Sequence, residues 1–464
     1  MAVRTLREAG AGEAAEPART GLSLGGVALA LAVPLIFLHI DFQPTVTVTL
    51  GSTPVTGDLS DAAVLALAAA GLASGLGGGF GPLRAGLIAW LAAGAFLTMV
   101  VAASFYPLLG DETYHWRSHL VTAAKFVEYG LLVLAVPLLV RRRDAVELLC
   151  LAVAAWSVAA TVVGLVQFFG WGILDGWPAG RRQPSFLGHH DFAALSGASL
   201  SIALLAIALG PGWRASRPVA LAGGIAGAVG LVLSGSTAGA IGLAAATVAA
   251  ALVAHRRAGI SRRRLSALAA ISGIVVGGVL LQRGGDFDQL FRALGLRHKQ
   301  EDVGVQTYVQ HTLLVYIGWR IFLDNPLAGA GWQASTKEPA TYRPYLDDAR
   351  REFPSAPAIA FPSPAHPWGV QNAYVQALAD LGVIGLLLFL GVFVAGLGLA
   401  ARIALRGPPE VAGITLLAGM WLLVVMGVWS ALGLVAGLPL DALTWIAIGL
   451  VVATAGMERH VRVR

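Results

Sequence analysis

Apolar residues in this chain come in long unbroken blocks, separated by short polar interruptions. Twelve blocks stand out, at 22–40, 60–80, 85–104, 119–140, 145–170, 191–210, 218–234, 237–254, 265–282, 371–401, 411–432 and 441–457. Crossing a bilayer takes roughly 20 mostly apolar residues as helix. The pattern therefore predicts an all-α polytopic membrane protein with about twelve transmembrane helices. One interval breaks the rhythm. Residues 283–366 form a long polar segment between the ninth and tenth blocks. Within it, Tyr308 to Leu323 carries Leu313, Leu314, Ile317 and Ile321 at helical spacing and is closed by Asn325-Pro326, which predicts an amphipathic helix. Pro354, Pro357, Pro362, Pro364 and Pro367 make the stretch 353–367 an irregular loop. The chain thus divides into a tail (1–21), nine spans (22–282), a large loop (283–366), three spans (367–457) and a second tail (458–464).

Composition sharpens this picture. Charged residues make up 12% of the chain and hydrophobic ones 56%, with a mean hydropathy of +0.73. Soluble domains carry roughly 25% charged residues, so a soluble enzyme and a disordered chain are both excluded. The formal charge of +6 lies in short arginine clusters between blocks, such as Arg141 to Arg143 and Arg262 to Arg264, so it reads as topology and not as nucleic-acid binding. An even number of spans puts both termini on one side. Nineteen arginines then fall on that side, against Arg117, Arg181 and Arg182 in the short loops of the other. Under the positive-inside rule both termini are cytoplasmic and the large loop is extracytoplasmic. No small-residue cleavage site follows the first block, so it is expected to be retained as a span. The lone Cys150 cannot form an intrachain disulfide.

Candidate chemistry gathers on the outer side. The loop before the sixth span reads Gly180-Arg181-Arg182-Gln183-Pro184-Ser185-Phe186-Leu187-Gly188-His189-His190-Asp191. Two arginines there run against the charge rule. A guanidinium has reason to be there if it holds an anion, since its fork matches phosphate oxygens; otherwise it anchors at headgroups, and Asp191 simply caps the next helix. Lys125 and Glu128, at i and i+3 in the fourth span, are placed to pair. Adjacent His189 and His190 do not share a helix face, and no set of Cys, His and acidic residues has structural metal spacing. The most specific pattern is Gln371-Asn372 followed after nine residues by Gly382-Val383-Ile384-Gly385, at the start of the tenth span.

In these features the chain resembles the O-antigen ligase and polymerase superfamily of membrane glycosyltransferases. The resemblance rests on many spans before a late outer loop, on Arg182-x-x-x-Phe186-x-Gly188 before a polar helix start, on a loop helix followed by Asp324-Asn325-Pro326-Leu327-Ala328-Gly329-Ala330-Gly331, and on the Asn372-x9-Gly-x-x-Gly tail. It covers roughly residues 150–400. It implies transfer of a glycan from a polyprenyl diphosphate carrier to a lipid or glycan acceptor at the outer face of a bacterial plasma (inner) membrane, with no metal or other cofactor and no nucleic acid. Arginines would hold the diphosphate and a histidine at the tail motif would activate the acceptor hydroxyl. The chain departs from that pattern at three places. Gln371 occupies the tail histidine position, Ser236-Thr237 replaces a Ser-Arg pair, and the loop-helix arginine position falls near His311. The expected substitutes are His366, His311 or His190 as base, and Arg182, Arg181 or Arg320 as cation, with Lys125, Gln371 and Asn372 lining the site. His366, five residues before Gln371, is the first choice of base. The alternative is a non-catalytic protein on the same scaffold that binds a polyprenyl-linked glycan or a partner.

Overall fold

The computed structural model describes residues 23–51, 53–110, 114–174, 176–210, 216–285, 307–354, 356–366 and 368–463. The assigned N-terminal tail, with Arg4, Arg7 and Arg19, lies outside the described residues, as do Arg214, Pro367, Arg464 and residues 286–306 of the large loop.

The helices are α1 (Leu24–Ile36), α2 (Leu59–Gly78), α3 (Leu87–Ala103), α4 (Trp116–Gly130), α5 (Leu132–Leu139), α6 (Arg143–Phe168), α7 (His189–Leu209), α8 (Arg217–Ser234), α9 (Thr237–Ala258) and α10 (Arg262–Gln282). After them come α11 (Thr307–Asp324), three short helices α12 (Ala334–Lys337), α13 (Pro339–Tyr342) and α14 (Leu346–Glu352), and then α15 (Ala373–Arg406), α16 (Pro409–Trp429) and α17 (Pro439–Val463). Among the described residues, eleven segments are long and apolar enough to cross a membrane, with α4 and α5 together forming one of them. The fold is all-α and polytopic. The first expected span is shorter than the pattern implied. Its described helix has 13 residues, about 20 Å at 1.5 Å per residue, and the chain turns away after Phe37 into a 3-10 turn at Ile40–Phe42. A second difference follows directly. Thr45–Leu50 (β1) and Thr53–Asp58 (β2) form an antiparallel hairpin, built from the alternating Thr-Val-Thr-Val-Thr run, whose period of two suits a strand.

Burial sorts the helices. The apolar windows of α7, α16 and α17 are 78, 83 and 94% buried, whereas that of α10 is 22% buried. The first three form the centre, and the outer helices show Ile274, Leu221 and Leu91 to the surrounding lipid. Without a hydrophobic drive between helices in lipid, close approach depends on small residues. Gly227 of α8 lies against the Ser196 carbonyl, and Gly242 of α9 against Gly427 of α16, at distances that leave no room for a Cβ. On the arginine-rich face, guanidiniums take up helix-end carbonyls. Arg141 donates to Ser74, Gly78 and Gly79 at the end of α2, and Arg257 donates to Ala404 and Gly407 at the end of α15. Positive charge at helix C-termini is the favourable arrangement.

Lys125 does not pair with Glu128 as its spacing implied. Its Nζ forms ion pairs with Asp58 and, at 3.1 Å, with Asp61 at the start of α2. Two carboxylates at a helix N-terminus outbid one on the same helix. Lys125 therefore pins the hairpin and α2 to α4. Lys125→Met leaves two largely buried carboxylates unpaired, and is expected to lower stability by roughly 3 kcal/mol, read as a fall in melting temperature of the detergent-solubilised protein.

The part of the large loop from Thr307 onward folds into a small domain. Leu313, Leu314, Ile317 and Ile321 of α11 are buried against Tyr342, Ala349 and Phe361, so the expected amphipathic face is the one packed. This domain is joined to the membrane helices by hydrogen bonds between backbones. Helix α15 is interrupted at Gly382, with φ 68° and ψ −169°. The interruption frees backbone groups that the Asn325–Gly331 segment takes up. Ala330 and Gly331 donate to the carbonyls of Ala379 and Asp380, both at 2.9 Å, and Val383 and Ile384 donate to Pro326 and Leu327 at 2.9 and 3.3 Å. Freed polar backbone at membrane depth requires such partners. Gly329 and Gly382 are the contact points. A Cβ on either would stand 2.2 Å from backbone atoms of the other strand of the joint, and both have positive φ. A second attachment lies alongside. Trp332, fully buried, donates its indole N–H to Thr122, and the His119 ring bridges the Trp332 carbonyl and the Glu338 carboxylate.

Candidate functional site

The loop before α7 is wound around two glutamines. Buried Gln183 accepts from the Trp177 N–H and donates to the carbonyls of Trp177, Pro178 and Arg181. Gln167 of α6 closes both backbone groups of Ser185, which holds a φ of 59°. This fixes Arg182 at the head of α7. Its guanidinium lies 4.2 Å over the Trp177 ring, and Trp177 meets His189 edge-on at 4.5 Å. Gly235, between α8 and α9, sits where any Cβ would strike Arg182, 2.9 Å from its own Cβ. Gln282, at the end of α10, accepts from the Arg182 backbone N–H at 3.2 Å with its amide turned to donate to Val232.

A second guanidinium enters from α10. Arg283 is buried, stacks 4.6 Å over Tyr308 and approaches the Tyr308 hydroxyl at 3.4 Å. Tyr308 in turn meets Thr237 of α9 at 3.2 Å. One turn along α11 from Tyr308 stands His311. Burial lowers its pKa to about 4, reinforced by the charges of Arg182 and Arg283 and opposed by a hydrogen bond with Gln371. The same two guanidiniums and His311 act on His190. The cluster is thus Arg182, Arg283, His190, His311 and Gln371, where the ends of α7, α9, α10 and α15 meet beneath α11.

Other expected site residues stand elsewhere. His366 is exposed, in a turn closed by reciprocal backbone bonds with Ser363, and stacks on Trp368 at 5.9 Å. Arg320 follows His311 by nine residues, about two and a half turns, and so points from the opposite face of α11; it pairs with Asp348 of α14 at 3.2 Å. Arg181 is exposed. Asn372 caps α15, accepting from Tyr374 and Val375 N–H groups and donating to the Ser430 carbonyl. Lys125 is engaged with Asp58 and Asp61. Asp191 does not cap α7, whose N-cap is Gly188; its buried carboxylate accepts from the Leu440 N–H at 2.7 Å and ties α7 to the start of α17. The residue missed in the sequence is Arg283, the first residue of the polar segment 283–366. Its signal was position: a cation at the very end of a span, on the side that carries few.

The fold and this cluster define a polytopic membrane protein whose folded loop domain lies over a cluster of two arginines and two histidines. Residues 222–390 match the family model described as O-Antigen ligase. That match runs from α8 through the large loop to the broken helix α15 and agrees with the resemblance to the O-antigen ligase and polymerase superfamily. The matched segment holds Arg283, His311, Gln371 and both halves of the backbone joint; Arg182 and His190 precede it. No curated protein matches the chain.

Proposed function

We propose that this protein transfers a glycan from a polyprenyl diphosphate carrier to an acceptor hydroxyl at the outer face of a bacterial plasma membrane. The observation that supports this best is the meeting of Arg182, Arg283, His311 and Gln371 where the ends of the spans meet the loop domain. Two guanidiniums suit a diphosphate, whose negative charge grows as it leaves. In the proposed step the acceptor oxygen attacks the anomeric carbon of the glycan. Its proton passes to the free imidazole nitrogen of His311. The anomeric carbon–oxygen bond to phosphate breaks, and the electron pair leaves with the polyprenyl diphosphate. Gln371 holds the imidazole in orientation, taking a supporting part where a base was expected. The opposite face carries Arg141, Arg257 and Arg264, which favours an extracytoplasmic cluster and cytoplasmic termini.

Burial, reinforced by the two guanidiniums, makes His311 a weak base. A bound diphosphate offsets their charge and raises the imidazole pKa. His311 must be neutral to accept a proton, so activity falls as pH drops through its pKa. The acid limb of kcat/KM, which reports the free enzyme, is expected near pH 4, and that of kcat, which reports the complex, at higher pH. His311→Asn is expected to reduce kcat by roughly 10²–10⁴-fold. The test is release of polyprenyl diphosphate from a defined donor by protein in liposomes with an acceptor glycan. Coincident acid limbs, or full activity in His311→Asn, refute the base assignment. Gln371 at the tail position favours a second reading, a glycan-binding scaffold; donor binding without release under every acceptor supplied establishes it instead.

A further inference from the structure

At the face opposite that cluster, the ends of α7, α9 and α15 and the starts of α10 and α16 enclose a cavity of about 170 Å³. Its walls are largely apolar, with Leu209, Val253 and Leu416 among them, and the charged groups in the lining are Arg257 and Arg264. No carboxylate lines it among the described residues; Glu410, on the first turn of α16, is outside the lining. Arg257 spends two N–H groups on the carbonyls of Ala404 and Gly407, and a guanidinium has five. Arg264 makes no ion pair among the described residues, and its guanidinium lies against Gly210, where a side chain would displace it. Next to lining residues, Leu252, Leu265 and Leu405 face outward and are exposed, so the cavity adjoins the lipid-facing surface.

We infer that this cavity is a binding site for an anionic glycerophospholipid, with the phosphate between Arg257 and Arg264 and the glycerol and upper acyl chain along the apolar wall. Two cations without an acid in the lining ask for an anion, and an apolar wall continuous with the lipid-facing surface asks for one that carries hydrocarbon. Basic pockets between helices on this face suit lipid headgroups. The site is separate from that cluster, and its test does not depend on transfer activity.

The full-length protein, supplied with equal phosphatidylglycerol and phosphatidylcholine, is examined by native mass spectrometry at increasing detergent. Phosphatidylglycerol is expected to be retained preferentially, and Arg264→Gln to reduce its retention about fivefold, the effect of one arginine near an anionic lipid. Ala412→Phe, which fills the cavity without touching a charge, is expected to reduce it comparably and serves if Arg264→Gln does not fold. Arg406→Gln, an exposed arginine outside the lining, is the control and changes little. Equal retention of the two lipids, or retention unaffected by both cavity variants, overturns the inference. Displacement of the lipid by an equal concentration of glycerol phosphate also overturns it, because the site would then recognise a soluble phosphate.

Discussion

Arg182→Ala and Arg283→Ala are each expected to lower the rate of transfer from a polyprenyl diphosphate donor by roughly 10²–10³-fold, the usual loss when one preorganised charge-stabilising group is removed. The two guanidiniums act on the same pair of imidazoles, and in the proposed step both would hold the leaving diphosphate. Their effects should therefore be less than additive in the double variant. Arg320→Ala and His366→Ala are the internal comparison. Arg320 is engaged with Asp348 on the far side of α11 and His366 stacks on Trp368 at the exterior, so each should retain activity within a few-fold of the parent. Initial rates under saturating acceptor, with melting temperatures alongside, check all four. Loss of activity in His366→Ala at unchanged stability would move the base to that residue and sink the site as drawn here.

The second large effect is on architecture. Gly329→Ala and Gly382→Ala each place a methyl about 2.2 Å from backbone on the opposing strand of the joint and also impose a side chain on a positive φ. Neither clash can be relieved by rotating a side chain. Each substitution is expected to cost on the order of 4 kcal/mol or more, at the high end for a single change. The external domain should become protease-sensitive at lower temperature than the membrane helices. Limited proteolysis of the loop across a temperature series, against Gly391→Ala as a control with open space around it, measures this. Parent-like protection in both variants would mean that the joint does not hold the domain.

Much of the scaffold was legible because bilayer burial writes itself into sequence as run length. The positions of α2 to α10 and α15 to α17 followed from apolar blocks, and the packed face of α11 followed from Leu313, Leu314, Ile317 and Ile321. The hairpin at 45–58 was overlooked because a two-residue alternation is a weak signal beside twenty-residue runs. The site was half legible. Arg182 announced itself by standing on the wrong side for an arginine, and Gln371 by its place in the tail motif. The pairing of Lys125 was misread because helical spacing reports neighbours on one helix, while Asp58 and Asp61 arrive from another element altogether. Arg283 was hidden for the same reason: only the folded chain brings the end of α10 to Tyr308 and Arg182.

The interruption at Gly382 divides ownership of the cluster. The first part of α15, from Ala373 to Leu381, is stitched by main-chain bonds to the segment that follows α11, and Tyr374 and Gln376 bond it to Met426 of α16 and to Leu434 beyond it, so it couples the loop domain to the membrane helices. His311 and Gln371 stand on the loop-domain side of the cluster, and Arg182, His190 and Arg283 on the side of the membrane helices. The candidate cluster therefore lies on a seam, with its two guanidiniums contributed by one body of the fold and His311 by the other.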